Sequence, residues 1–145
     1  MKRLSICWII GCLLGLVACR PEVPAQAEQG ETDVFPDYRE VTVPVNIAPP
    51  NFKLVDQQLQ GITRLKTMNR ELIIAADQGV FNLPETDWKV LSQDAQGKQI
   101  DVTVYFREPQ SNWKQMSFPI YVSRDSVDAY LVYRRIFPGY RMWNE

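Results

Sequence analysis

The alternation of apolar and polar positions along the chain predicts a mostly β protein. In "REVTVPVNI" the residues Val41, Val43 and Val45 fall on one face, the period of a half-buried strand. Pro44 lacks an N–H, so this strand belongs at an edge or breaks off there. "APPNF" forces an extended turn, and "FKLVD" reads as a short strand. "ITRLKTMN" and "RELIIAAD" read as a hairpin around Asn69-Arg70, and Asp77-Gln78-Gly79 as a further turn before "VFNL". The period then changes. Pro84, the acidic Glu85 and Asp87, and Gly97 bracket a short helix from Glu85 to Ala95, with Trp88 and Leu91 on one face.

Strand character returns in "KQIDVTVYFRE", where Ile100, Val102, Val104 and Phe106 alternate with more polar neighbours. "KQMSFPIYVSRD" gives another strand, with Pro119 a local irregularity. In "SVDAYLVYRRIF" the residues Tyr130, Val132 and Arg134 alternate against Leu131, Tyr133 and Arg135, which reads as a turn followed by a strand. Six or seven short strands and one small helix predict a compact antiparallel β-sandwich, Ig-like in general architecture.

The N-terminus has a different pattern. Lys2 and Arg3 precede an apolar run from Leu4 to Val17, the layout of a secretory signal and too short to span a bilayer comfortably. Leu16-Val17-Ala18-Cys19 resembles the lipobox of bacterial lipoproteins. That resemblance implies cleavage after Ala18 and acylation of Cys19. Three acyl chains, at about 0.8 kcal/mol per buried methylene, hold a folded domain on a membrane. Arg20 follows the anchor rather than an aspartate, which favours the outer membrane, and the module is expected on its periplasmic face. Residues 20–40 are polar and acidic, with no hydrophobic period, and read as a tether. The expected organisation is a signal peptide at 1–18, a lipid-anchored flexible tether at 19–37 and a β module at 38–145.

Composition narrows the function. The chain has 145 residues, with 16 basic and 17 acidic, enough for one domain. Without Lys2 and Arg3 the balance is 14 basic against 17 acidic, so no basic footprint for nucleic acid exists. There is no histidine, and the three cysteines, Cys7, Cys12 and Cys19, all lie in the N-terminal segment. Those two facts remove the commonest general base, the usual zinc and haem ligands, and thiolate catalysis from the folded part. The carboxylates Asp77, Glu85, Asp87, Asp94, Asp125 and Asp128 sit mostly at turns, where capping or solvation accounts for them. The expectation is a protein that is not an enzyme, with no metal and no cofactor beyond the lipid on Cys19. Aromatic residues are the better candidates. Trp113, Tyr133, Tyr140 and Trp143 are candidate ligand or interface residues, and a flat ring with a polar edge suits a glycan.

"DYREVTVPVNIAPPNFKL" at 37–54 resembles the opening of a family of large lipoproteins of Gram-negative bacteria, whose pattern is close to VTIPxNIAPLNF. Trp88-Lys89-Val90-Leu91, "GKQIDVTVYF", "NWKQMSFPIYVSRDSVDAYLVYRRI" and "PGYRMWN" follow in the same order. In that family this region is a β-rich module ahead of a Tol-type propeller with a CxxCH element, often described as cytochrome c-associated. Pro50 and Phe137 depart from the family pattern, and this chain holds neither propeller nor CxxCH. No haem or propeller function carries over from the resemblance, and the leading expectation is a non-catalytic adaptor or scaffold module. Its C-terminal segment would face a partner or a downstream domain, since Ile136, Phe137, Tyr140, Met142 and Trp143 concentrate large apolar side chains there. The other readings are a glycan-binding module of the cell envelope and an accessory fragment of a larger propeller-containing protein.

Overall fold

The computed structural model describes residues 21–128 and residue 130. Among these are nine strands and one helix, arranged as two sheets in a β-sandwich-like fold. The strands are β1 (Glu28–Gln29), β2 (Val34–Phe35), β3 (Thr42–Val43), β4 (Phe52–Leu54), β5 (Gln60–Lys66), β6 (Glu71–Ala75), β7 (Val80–Phe81), β8 (Gln99–Arg107) and β9 (Lys114–Val122). The helix, α1, spans Glu85–Asp94 between β7 and β8.

The larger sheet runs β1-β9-β8-β5-β6, with β3 also on β9. Its centre is antiparallel: β8 pairs with β9 from Gln99↔Tyr121 to Phe106↔Lys114, and with β5 from Gln60↔Arg107 to Lys66↔Asp101. β1 and β3 lie parallel to β9, at its start and its end respectively. The smaller sheet, β2-β4-β7, is antiparallel.

The alternation read from the sequence selects the core. Ile100, Val102, Val104 and Phe106 of β8 are buried with Met116, Phe118, Ile120 and Val122 of β9. Phe52 and Phe81 of the smaller sheet stack with ring centroids 4.7 Å apart. Trp88 and Leu91 of α1 close the same core. The hairpin expected at Asn69-Arg70 is β5–β6, joined by Thr67–Arg70. At the Asp77–Val80 turn, Gln78 and Gly79 both have positive φ and the flanking backbones exchange two hydrogen bonds, the geometry of a two-residue hairpin loop. Pro84 precedes α1, and Gly97, at φ 72°, lies just past it.

Two expectations shift. The stretch read as a tether contributes β1 and β2, and Val34 is buried opposite Leu54. Two-residue strands leave no periodic trace, so polarity alone made the stretch look unstructured. The edge strand read from Val41 to Val45 is reduced to Thr42–Val43 before Pro44, but Val41, Val43 and Val45 do face the core. The strand expected after Tyr130 lies outside the described residues.

Candidate functional site

Residues 45–47 are gripped from two sides. From α1, Ser92 Oγ donates to the Val45 carbonyl at 3.0 Å and Trp88 Nε1 donates to the Ile47 carbonyl at 3.0 Å. Trp88 and Ser92 stand one turn apart on the buried face of the helix, and their two donors meet the carbonyls on either side of Asn46 in the Pro44–Ile47 turn, which the Ile47 N–H closes by donating to the Pro44 carbonyl at 3.2 Å. From the other side, Asn46 Nδ2 donates to the Val127 carbonyl at 2.8 Å, and the Val127 N–H donates to Asn46 Oδ1 at 2.9 Å. Asn46 thereby stands in for a strand residue. It prolongs the parallel ladder in which Ser123 N–H donates to Val43 and Val45 N–H donates to Asp125.

The rest of the "NIAPPNF" motif is structural in the same way. Asn51 Oδ1 accepts from the Leu83 N–H at 2.8 Å, and Phe52 is the residue that stacks on Phe81. The motif therefore ties the helix, the smaller sheet and the outgoing chain together. Beside it lies a groove of about 310 Å³ walled by Val45–Pro49 and by Glu85, Trp88, Lys89 and Ser92. Ile47 and Val127, on either side of the Asn46 bridge, are 37% and 47% exposed, and Tyr130 beyond them is 84% exposed.

Trp113 is half-buried just beyond the β8–β9 ladder, with the Arg107 guanidinium over its ring at 4.4 Å from the centroid. The last paired residues are Phe106 and Lys114, so Arg107 and Trp113 are the next cross-strand neighbours. Such a cation–π contact covers one face of the indole. Arg107, Ser111 and Asn112 divide two open clefts. The one of about 310 Å³ holds Trp113, Gln26 and Glu28. The other, of about 520 Å³, is lined by Glu28, Glu31, Asp56 and Glu108 with Arg107 and Lys114.

The remaining sequence candidates, Ala18, Cys19, Tyr133, Tyr140 and Trp143, lie outside the described residues. Trp88 is a core residue, 1% exposed. Asp94 accepts hydrogen bonds from Thr67 Oγ1 and Asn69 Nδ2, fastening the β5–β6 loop to the end of α1. These bonds, Thr67 first and then Asn69, hold its carboxyl below the ordinary range. Among the described residues no three His, Cys, Asp or Glu side chains gather to hold a metal, and no helix is long and apolar enough to cross a membrane.

Sequence reasoning missed Asn46, Ser92 and Arg107. The motif flagged the neighbourhood of Asn46, and the β8–β9 register, once known, places Arg107 opposite Trp113. Comparison with protein-family models, with curated proteins and with solved structures finds no match.

Proposed function

We propose that this chain is a non-catalytic lipoprotein module, anchored by an acylated Cys19 at the periplasmic face of the outer membrane, whose β domain presents a surface to a protein partner. The observation that carries the reading is the apolar exit strip. Ile47, Val127 and Tyr130 are exposed where the chain leaves the sheet, while the backbone beneath Ile47 and Val127 is held by Asn46, Trp88 and Ser92. Rigid backbone under exposed apolar side chains suits docking, since little ordering is left to be done on association. The lipobox resemblance and the "NIAPPNF" resemblance support the same reading.

Two measurements test it. Wild-type protein is expected in the membrane fraction, with Cys19→Ala released from it; a Cys19→Ala protein that still floats with membranes refutes the anchor. A photo-crosslinking residue in place of Val127 is expected to trap one discrete protein in intact envelopes, and the same probe at exposed Met68 is expected to trap none. Equal labelling at both positions refutes the docking surface.

A second reading, glycan binding, is favoured by Trp113 in the wall of an open polar cleft. The Arg107 contact weighs against it, because it occupies one stacking face. Saturable polysaccharide binding that Trp113→Ala abolishes without unfolding would place glycan binding first.

A further inference from the structure

The two edges of the larger sheet are treated differently. The outer side of β9 is covered by the short strands β1 and β3, whereas β6 pairs only with β5 among the described residues. The bonds at the two ends of β6 fix which of its groups are used. The Thr67 N–H donates to the Arg70 carbonyl at 2.9 Å, and the Ala76 N–H donates to the Gly61 carbonyl at 2.8 Å. Strand residues alternate, so Leu72 and Ile74 also turn their N–H and C=O toward β5, and Glu71, Ile73 and Ala75 turn theirs to the free edge. The side chains alternate as well. Leu72 and Ile74 pack against the core, and Glu71, Ile73 and Ala75 lie on the other face of the sheet. No proline or lysine guards this edge against a further strand. Beside it, Leu72 shares a groove of about 360 Å³ with Val90 and Leu91 of α1, bordered by Asn69, Arg70, Glu71 and Asp87.

We propose that β6 is a self-association edge, to which a second copy of this chain adds its own β6, antiparallel, about a two-fold axis through Ile73. A two-fold interface sets a strand against its own reverse, so the strand must complement itself. β6 does so in the register centred on Ile73. Glu71 then opposes Ala75 of the second copy, Ile73 opposes Ile73, and Ala75 opposes Glu71. These are the residues whose backbone groups face outward, so every outward donor and acceptor of the strand is paired. The charges agree with this register. Glu71 meets a small alanine rather than a second carboxylate, and keeps Arg64 beside it at 3.8 Å. Arg70 meets Ala76 in the same way. An axis through Glu71 would instead set the two carboxylates against each other. On the core face Leu72 and Ile74 come directly opposite each other, so Ile74 of the second copy enters the groove beside Leu72 and Val90. All of this complementarity resides in one five-residue sequence, which is what selects a second copy as the occupant. Two such strands form a contact that is small beside the roughly 1,200–2,000 Å² of a stable complex, so the pairing is reversible and depends on concentration. Met68, at the tip of the β5–β6 turn, lies outside the paired stretch.

Sedimentation velocity and amide hydrogen exchange on the full chain in excess detergent test the assignment, with samples from dilute up to about 1 mM. Wild type is compared with Ile73→Pro and Ile73→Lys. The proline removes an outward N–H and no bond to β5, whereas the lysine keeps that N–H and sets two cations against each other at the axis. Wild type is expected to dimerise in the concentrated sample, with exchange at Glu71, Ile73 and Ala75 about tenfold slower than in the dilute one. The Leu72 and Ile74 amides, already bonded to β5, are expected to stay protected in both samples and in both variants, and both variants are expected to remain monomeric. A wild type that is monomeric throughout overturns the proposal. So does a dimer in which Glu71, Ile73 and Ala75 exchange as fast as in the monomer, because the contact then lies elsewhere. Slow exchange at these three amides in the dilute monomer also overturns it, because another part of the chain then covers the edge. Dimerisation that survives Ile73→Lys overturns it as well, and this variant decides the matter if the proline variant loses protection across β5.

Discussion

The Asn46 carboxamide pairs with both polar atoms of the Val127 backbone, donating through Nδ2 and accepting through Oδ1. A side chain thus completes a ladder between two stretches some eighty residues apart in sequence. Asn46→Ala removes both bonds at a solvent-exposed site, so the expected cost is about 1 kcal/mol in a denaturant titration. Asn46→Asp keeps the acceptor for the Val127 N–H and sets a carboxylate oxygen against the Val127 carbonyl. It is expected to cost at least as much as Asn46→Ala at neutral pH, and proteolysis near residue 127 is expected to quicken in both variants. Unchanged stability and cleavage in both would show that the bridge holds nothing.

Gly61 of β5 faces Leu54 and Phe81 of the smaller sheet. A Cβ built on it would sit 2.7 Å from Phe81 Cζ and 2.9 Å from Leu54 Cδ1, both core atoms. Gly61→Ala is therefore expected to destabilise by about 1–3 kcal/mol through overpacking. In the Phe81→Leu background the penalty is expected to shrink, since the ring tip that meets the new methyl is gone. A double-mutant cycle with no coupling between positions 61 and 81 would refute the contact as the cause.

The elements legible in the sequence are those whose periodicity is long enough to register. The alternation of Ile100, Val102, Val104 and Phe106 gave β8 and its buried face, and Pro84 with Gly97 bounded α1. What stayed hidden depends on distant partners. Glu28–Gln29 and Val34–Phe35 are strands because β9 and β4 lie beside them, not because two residues carry a pattern. Thr103 and Tyr105 alternate away from the apolar face of β8, yet both are buried, Thr103 hydrogen-bonding to Ser117 and Tyr105 lying near the Arg64 guanidinium. Of the candidate site, "NIAPPNF" was conspicuous as a motif, but no local rule says that its first asparagine bridges to Val127.

Asp94 couples acidity to the fastening of the β5–β6 loop. Its carboxyl is depressed by hydrogen bonds from Thr67 and then Asn69, so its carboxylate form is favoured in the folded state. A group with a depressed folded pKa adds stability that is full above its unfolded value, about 3.9 for aspartate, and is lost as pH falls through the folded value. Thr67→Val with Asn69→Ala is therefore expected to lower stability at pH 7, and the difference from wild type is expected to narrow below about pH 4. An NMR titration should move the Asp94 carboxyl upward in the double variant. A stability difference independent of pH from 7 to 2 would mean that packing, not the carboxylate, is what the substitutions disturb.

Trp88 and Ser92 act on the same three residues as Asn46, which makes their contributions interdependent. Ser92→Ala removes a buried donor from the Val45 carbonyl and is expected to cost about 1 kcal/mol. Trp88→Phe removes the donor to the Ile47 carbonyl and leaves space where the larger indole ring packed, for an expected cost of about 2–4 kcal/mol. Once either helix donor is lost, residues 45–47 are freer to move, and the Asn46 bridge holds a chain that is no longer fixed on its other side. The Asn46→Ala and Ser92→Ala costs are therefore expected to fall short of additivity by about 0.5 kcal/mol or more in a double-mutant cycle. Strict additivity would mean that the helix and the outgoing chain grip this segment independently, and the exit strip would then lose the shared rigidity on which its docking role depends.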